Sequence, residues 1–440
     1  MSAFVQFLVL FLISIVTAVY STEPLLFAED TLEDSHGKIV FSSVIFRHGD
    51  RAPTNPYPTD RYNISNWPQG WGQLSKIGKL QEYNLGKWFR KRYDSLITNG
   101  YRYDLLKVNS SDMDRTIMSA ECFLAGFFPP SAEERWADDG LKWQPVPIRA
   151  IPAEIDTVIG FKVPCEKYDM EKDLVNGSPE MGAYYLEHQK IFKYIASYSG
   201  FDISPNDVLN AIDNAWDLYD TLFIEELYNL TLPDWSKKIY PEPLKTIGAP
   251  TFSNIAYSRE MRRLKAGPLI GNLLKEMRLK INRQLNETFH FYSGHDTTIS
   301  VLLTALEIYN GIPPPYSTSV IIELREKDGN YFVTILYKNS TTSAPYLLEL
   351  DGCGYVCTWD DFVKLTENLV PENWEAECSV NFVKSLSYRS IFELIVMSAV
   401  VFLLLVLILS IIRLHLLRRK RYSHYEIIRN NVLNVKNDVE

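Results

Sequence analysis

The chain has 440 residues, 46% of them hydrophobic, 13% aromatic and 22% charged, with a formal net charge of −9. That is globular composition, and it excludes a disordered, collagen-like or short disulfide-scaffold protein.

Read from the amino terminus, residues 1–21 form a short apolar run, Phe4 to Val19, ending in the small residues Ala18 and Ser21. This pattern predicts a secretory signal peptide, although a basic leading segment is missing. The next strong element, Ile39 to Phe46, is β-branched and aromatic without a helical period, and reads as a buried strand. Arg47-His48-Gly49-Asp50-Arg51-Ala52-Pro53 follows it directly, and a loop rich in Pro and Gly runs on to Gly72. Leu74 to Tyr93 reads as a helix, Leu105 to Val108 as a short strand, and Thr116 to Phe128 as a helix stopped by Pro129-Pro130. Between that strand and its helix lies Asp112-Met113-Asp114-Arg115-Thr116.

From Ile148 to Ser258 the character becomes mainly helical. Glu180 to Tyr198 reads as one helix. Ser204-Pro205 reads as the start of another, whose apolar face is Val208, Ile212, Ala215, Trp216, Tyr219, Leu222 and Phe223. Strand-helix alternation then resumes with a helix over Leu269 to Arg283 and a strand over Phe289 to Tyr292. Ser293-Gly294-His295-Asp296-Thr297 leads into a helix reaching Ile308. A hairpin pairs Val320–Leu324 with Phe332–Tyr337 around Asp328-Gly329. The expected fold is α/β: a central mixed sheet sandwiched by helices, with an inserted, mainly helical cap lobe. Residues 22–147 and 259–385 would form the body, and 148–258 the cap.

Residues 394–412 carry no charge and would span roughly 28 Å as a helix, enough for a bilayer core. The tail, 413–440, holds seven Lys/Arg and three acids, so the rest of the chain carries −13. A basic cluster directly after an apolar span places the tail in the cytoplasm and predicts a single-pass type I membrane protein. The acidic body argues against a nucleic-acid partner. Six sequons, at Asn63, Asn109, Asn176, Asn229, Asn286 and Asn339, all lie before the span, as glycosylation in a secretory compartment requires. So do all five cysteines. Cys353 and Cys357 are close enough to close a small loop, which leaves Cys165 with Cys378 as the long-range bridge and Cys122 as a buried free thiol. No Cys or His pair has zinc-ligand spacing, so neither metal nor cofactor is expected. In the tail, Tyr425 and Ile428 have the spacing of an extended sorting signal with two side chains in separate pockets.

Three polar clusters thus follow three predicted strands, and in open α/β sheets ligands bind at the carboxyl ends of strands. Arg47, Arg51 and Arg115 supply guanidinium forks for a dianion. The helix after Asp296 adds backbone donors at its positive end. His48 and His295 supply imidazoles and Asp296 a carboxyl, the inventory that phosphomonoester hydrolysis needs: an uncharged nucleophile and an acid for the leaving oxygen.

The Arg47–Pro53 segment resembles the R-H-G-x-R-x-P signature of the histidine acid phosphatases, and His295-Asp296 resembles their distal His-Asp pair. The likeness extends through Asp114-Arg115-Thr116-Ile117-Met118-Ser119-Ala120 and Trp143-Gln144-Pro145-Val146-Pro147, and reaches roughly Cys378. With the signal peptide, span and tail, the lysosomal/prostatic branch is the best match. The resemblance implies that His48 becomes a phosphohistidine, that Arg47, Arg51, Arg115 and His295 hold the phosphate, and that Asp296 donates the proton. The two bridges look like two of the three in that branch. The third is missing, and Asn109 stands where many members have Arg. Two alternatives stay open: a phosphatase restricted to one metabolite, such as an inositol phosphate or a lysophosphatidate, and an inactive surface receptor on the same scaffold. Expected partners are phosphomonoester substrates and the membrane, with clathrin adaptors and a second copy of the chain as candidates. The expected location is the lysosome or endosome, or the cell surface.

Overall fold

The β-branched run after Gly37 forms β1 (Lys38–Arg47), a central strand of an eight-stranded sheet. The computed structural model describes residues 29–97, 100–137, 140–380 and 395–418, so residues 1–21, Tyr425 and Ile428 lie outside the described residues. The chain divides into two units between Cys378 and Ser379.

In the first unit the other strands are β2 (Leu106–Ser111), β3 (Arg149–Ile151), β4 (Phe289–Gly294), β5 (Ser319–Lys327), β6 (Asn330–Lys338), β7 (Tyr346–Leu347) and β8 (Val356–Thr358). Their order is β3-β2-β4-β1-β5-β6-β7, with β8 also paired to β6. The first four run parallel, and from β1–β5 onward the pairs are antiparallel. The sheet is mixed, as expected. In the β5–β6 turn Asp328 and Gly329 have φ of 53° and 82°, the left-handed pair that a tight hairpin turn requires.

The helices in chain order are α1 (Glu29–His36), α2 (Lys76–Arg92), α3 (Asp114–Phe127), α4 (Glu166–Asn176), α5 (Pro179–Ser199) and α6 (Val208–Leu227). They continue as α7 (Leu244–Gly248), α8 (Thr251–Asn254), α9 (Arg259–Ile281), α10 (Asp296–Ala305), α11 (Trp359–Thr366) and α12 (Trp374–Cys378). Alternation along β1 sends side chains to both faces. Val44 and Phe46 pack with Leu85 and Phe89 of α2 and with Phe123 and Phe127 of α3. Phe41 and Ile45 pack on the other face with Leu273 of α9 and Leu302 of α10. Each such buried side chain contributes about 1.5–3 kcal/mol, which is why both faces are covered.

The stretch 148–258 opens with a strand rather than a helix, since β3 pairs with β2 at the sheet edge. Thereafter it supplies α4–α8 and a core of its own, including Phe192, Ile195, Ile212, Leu218 and Leu222. Two helix starts differ from expectation. Ser204-Pro205 forms a turn in which Ser204 Oγ accepts from the Asn206 N–H, and α6 begins later, capped by Asp207 on the Asn210 N–H at 3.2 Å. The helix expected from Leu269 begins ten residues earlier at Arg259 and runs through Pro268. Burial of Leu264, Leu269, Ile270 and Leu273 outweighs the one backbone bond that proline removes.

Cys165 and Cys378 are joined at 2.03 Å, and Cys353 is joined to Cys357. Cys122 is free but half-buried rather than buried; burial pushes its thiol up to about 11. Of the sequons, Asn63, Asn229, Asn286 and Asn339 are exposed and Asn176 is half-buried. Asn109 is 9% exposed inside β2, between β3 and β4, the least accessible of the six. The second unit contains the helix α13 (Ile395–Arg418), long and apolar enough to cross a membrane, which runs past the expected end at residue 412.

Candidate active site

The parallel strands β1, β2 and β4 end side by side, with Arg47 opposite Gly294 and Ser110 opposite Ser293. Their carboxyl ends therefore deliver all three sequence clusters to one place. A cavity of about 690 Å³ opens there, lined by His48, Arg51, Arg115, His295 and Asp296 from below.

His48 is 1% exposed, and its Nδ1 lies 2.8 Å from the Gly49 carbonyl. A carbonyl only accepts, so Nδ1 carries the hydrogen and Nε2 keeps its lone pair. Burial, then Arg115, Arg47 and Arg51, hold the imidazole well below its usual pKa, so it is neutral. The loop that presents it needs glycine. A Cβ on Gly49 would lie 2.4 Å from the Gly78 carbonyl oxygen, and one on Gly78 would lie 2.2 Å from that of Asp50. Asp50 itself serves the scaffold. Its carboxylate accepts from Ser75, the N-cap of α2, and from the Tyr228 hydroxyl at 2.9 Å.

Each arginine is held differently. Arg47 donates to the Pro314 carbonyl at 2.5 Å, pairs with Asp296 at 2.7 Å and lies 4.2 Å from the centre of the Tyr316 ring. Arg51 pairs through Nη1 with Asp220 of α6 at 2.8 Å. Arg115 Nη2 lies 3.4 Å from His295 Nδ1, and burial together with Arg51 pulls its pKa down to about 10. Since a guanidinium only donates, His295 carries its proton on Nε2 and gives it to Ser111 Oγ at 2.9 Å. Burial and Arg115 lower the His295 pKa to about 3. Asp296 opens α10 and accepts from the Thr297 N–H at 2.8 Å. Burial would raise its pKa, but Arg47, Arg51 and His295 outweigh that and hold it below the usual value.

The structure thus gathers all six sequence-predicted residues. Sequence reading missed the roof and the supports. Asp213, Trp216 and Asp217 of α6 and Phe252 of α8 line the far side of the cavity. Asp217 accepts from Asn55 Nδ2 at 2.6 Å, and burial raises its pKa to about 6. Asp213, Trp216, Asp217 and Asp220 do stand at helical spacing. That face was legible; its direction was not.

The family model described as "Histidine phosphatase superfamily (branch 2)" matches residues 38–338. The chain belongs to that superfamily branch. Among the relatives of this branch-2 histidine phosphatase, the lysosomal acid phosphatase of Homo sapiens is 34% identical over 378 residues, covering 84% of this chain and 87% of its own. The prostatic acid phosphatase of Rattus norvegicus is 35% identical over 345 residues, covering 78% of this chain and 89% of its own. The phytase of Citrobacter braakii shares the fold of this branch-2 member with a TM-score of 0.59 at 17% identity, covering 78% of this chain and 100% of its own.

Proposed function

We propose that the protein is an acid phosphatase that hydrolyses phosphate monoesters through a phosphohistidine on His48, as its acid phosphatase relatives suggest. One observation carries the reading: the Nδ1–Gly49 bond leaves a neutral Nε2 lone pair in a cavity lined by Arg51 and Arg115, with Arg47 paired to Asp296 of the same lining. Arg47, Arg51, Arg115 and His295 hold the phosphoryl group. Nε2 bonds to phosphorus as the ester P–O bond breaks, and the Asp296 carboxyl gives its proton to the departing oxygen. Water then attacks phosphorus, the P–N bond breaks, and Asp296 takes the water's proton. Inorganic phosphate leaves, and His48 returns to its neutral form.

The metabolite-restricted alternative, an inositol phosphate or a lysophosphatidate, fits less well, because the relatives similar over most of the chain are acid phosphatases and the phytase likeness is one of fold alone. An inactive receptor is disfavoured by the presence of both His48 and Asp296 in the cavity. Lysosomal acid phosphatase relatives and the helix α13 support a membrane-anchored lysosomal enzyme; in this reading the catalytic unit is lumenal and the Tyr425–Ile428 spacing serves as an adaptor signal. The deciding experiment traps an acid-labile phosphoenzyme in the wild type. His48→Ala should abolish both it and turnover, and near wild-type turnover in that variant would overturn the mechanism.

A further inference from the structure

The cradle's charges do not match one to one. Arg47 pairs with Asp296 and Arg51 with Asp220, whereas Arg115 forms no ion pair among the described residues. Both imidazoles are neutral, so three guanidinium groups against two carboxylates leave the empty cradle one unit positive. A phosphoryl dianion turns that into one unit negative, and one proton restores neutrality. Asp220 is the unusual member. It belongs to α6 and lines an adjoining cavity of about 320 Å³ with Arg47 and Tyr316, and its ion pair with the cradle is made to Arg51. The two side chains are 7% and 10% exposed, which leaves the pair poorly screened.

We infer that Asp220, acting through Arg51, keeps the cradle one positive charge short of what a phosphoryl dianion needs, so that bound substrate retains one proton between the phosphoryl oxygens and Asp296. That proton is the one the leaving oxygen receives. The groups facing Asp296 are Arg47, Arg51, Arg115, His48, His295 and Tyr309. Lys162, Asp213 and Asp217 line the outer cavity, where burial raises the pKa of both carboxyls, and Asp50, held by Ser75 and Tyr228, faces Arg51 and Asp220. Asp296 is an anion in the empty site and is free to take the proton once the phosphate has claimed Arg47. Asp220 is thus a positioning and charge-setting residue, and its role rests on the phosphatase reading above.

The test is calorimetric binding of inorganic phosphate to the full chain in buffers of different ionisation enthalpy. Near pH ~8, where free phosphate is chiefly the dianion, wild type should take up about one proton per phosphate bound. Asp220→Asn should take up about none, bind phosphate about tenfold more tightly at that pH, and turn over alkyl phosphates about tenfold more slowly. Activated aryl phosphates should be spared. Asp220→Glu, which keeps the charge, should keep the uptake. A purely structural ion pair predicts the opposite coupling, with phosphate affinity and turnover falling together, and that result overturns the inference. So does uptake near zero in wild type, a measurement that needs no variant. Turnover in His48→Ala would sink the phosphohistidine reading while leaving the proton count intact, so the two failures are distinguishable.

Discussion

Asp296 meets its substrate as an anion, because Arg47 at 2.7 Å outweighs the burial that would protonate it. The proton for the leaving group must therefore arrive with the substrate or from solvent as the phosphate takes over Arg47. Asp296→Asn should slow alkyl phosphates by about 10²–10⁴-fold and activated aryl phosphates far less, since only alkoxides need protonation. Steady-state kinetics on the two ester classes checks this, and equal losses would move the acid elsewhere. The sign of the pH effect follows. Asp296 lies below its usual value, so kcat/KM for alkyl esters should rise as pH falls from about 7 to about 4. His48 does not oppose that rise, because burial and the arginines keep it neutral over the same range. At this scale His48, His295, Asp296 and the arginines were legible because each sits in a short motif beside a strand. Asp220 and Tyr316 were not, since one meets Arg51 from 169 positions away and the other stacks on Arg47 from a loop.

Between elements, the decisive contact is that of the His48 loop with the first turn of α2. Gly78→Ala would place a methyl 2.2 Å from the Asp50 carbonyl oxygen. It should cost about 1–3 kcal/mol of stability and displace the loop carrying His48, lowering kcat. Gly182→Ala in α5, where nothing lies within 4 Å, should instead stabilise by about 0.5–1 kcal/mol. Urea unfolding of the two variants checks both signs, and equal effects would mean that the close approach is not limiting. Strands such as β1 could be read from the chain because they are buried on both faces and carry β-branched runs. The start of α9 could not, because Pro268 mimics a helix start while packing on both sides carries the helix through it. Two helices can cross this closely only through glycine: a Cβ on Gly86 of α2 would lie 1.9 Å from the Phe123 carbonyl oxygen of α3.

For the whole molecule, the chain divides between Cys378 and Ser379 into a unit that holds the sheet and the cavity and one that holds α13. The sheet order and the way the roof faces the arginines depend on contacts hundreds of residues apart, which local periodicity does not encode. If the tail carries the address proposed for it, Tyr425→Ala should shift the protein to the plasma membrane with catalysis unchanged. Surface labelling would show this, and an unaltered intracellular pool would leave the tail without that role.

The bond between Cys165 and Cys378 fixes what a break in the chain can release. Cys378 is the last residue of the catalytic unit, so the bridge turns a loose end into a closed ring of chain. A single cut in any loop between the two cysteines leaves both pieces covalently attached. A cut between Cys378 and Ile395 detaches the anchor and removes none of the packed cores. Loss of the anchor would then leave Cys378, the carboxyl end of the packed unit, still tied to Cys165.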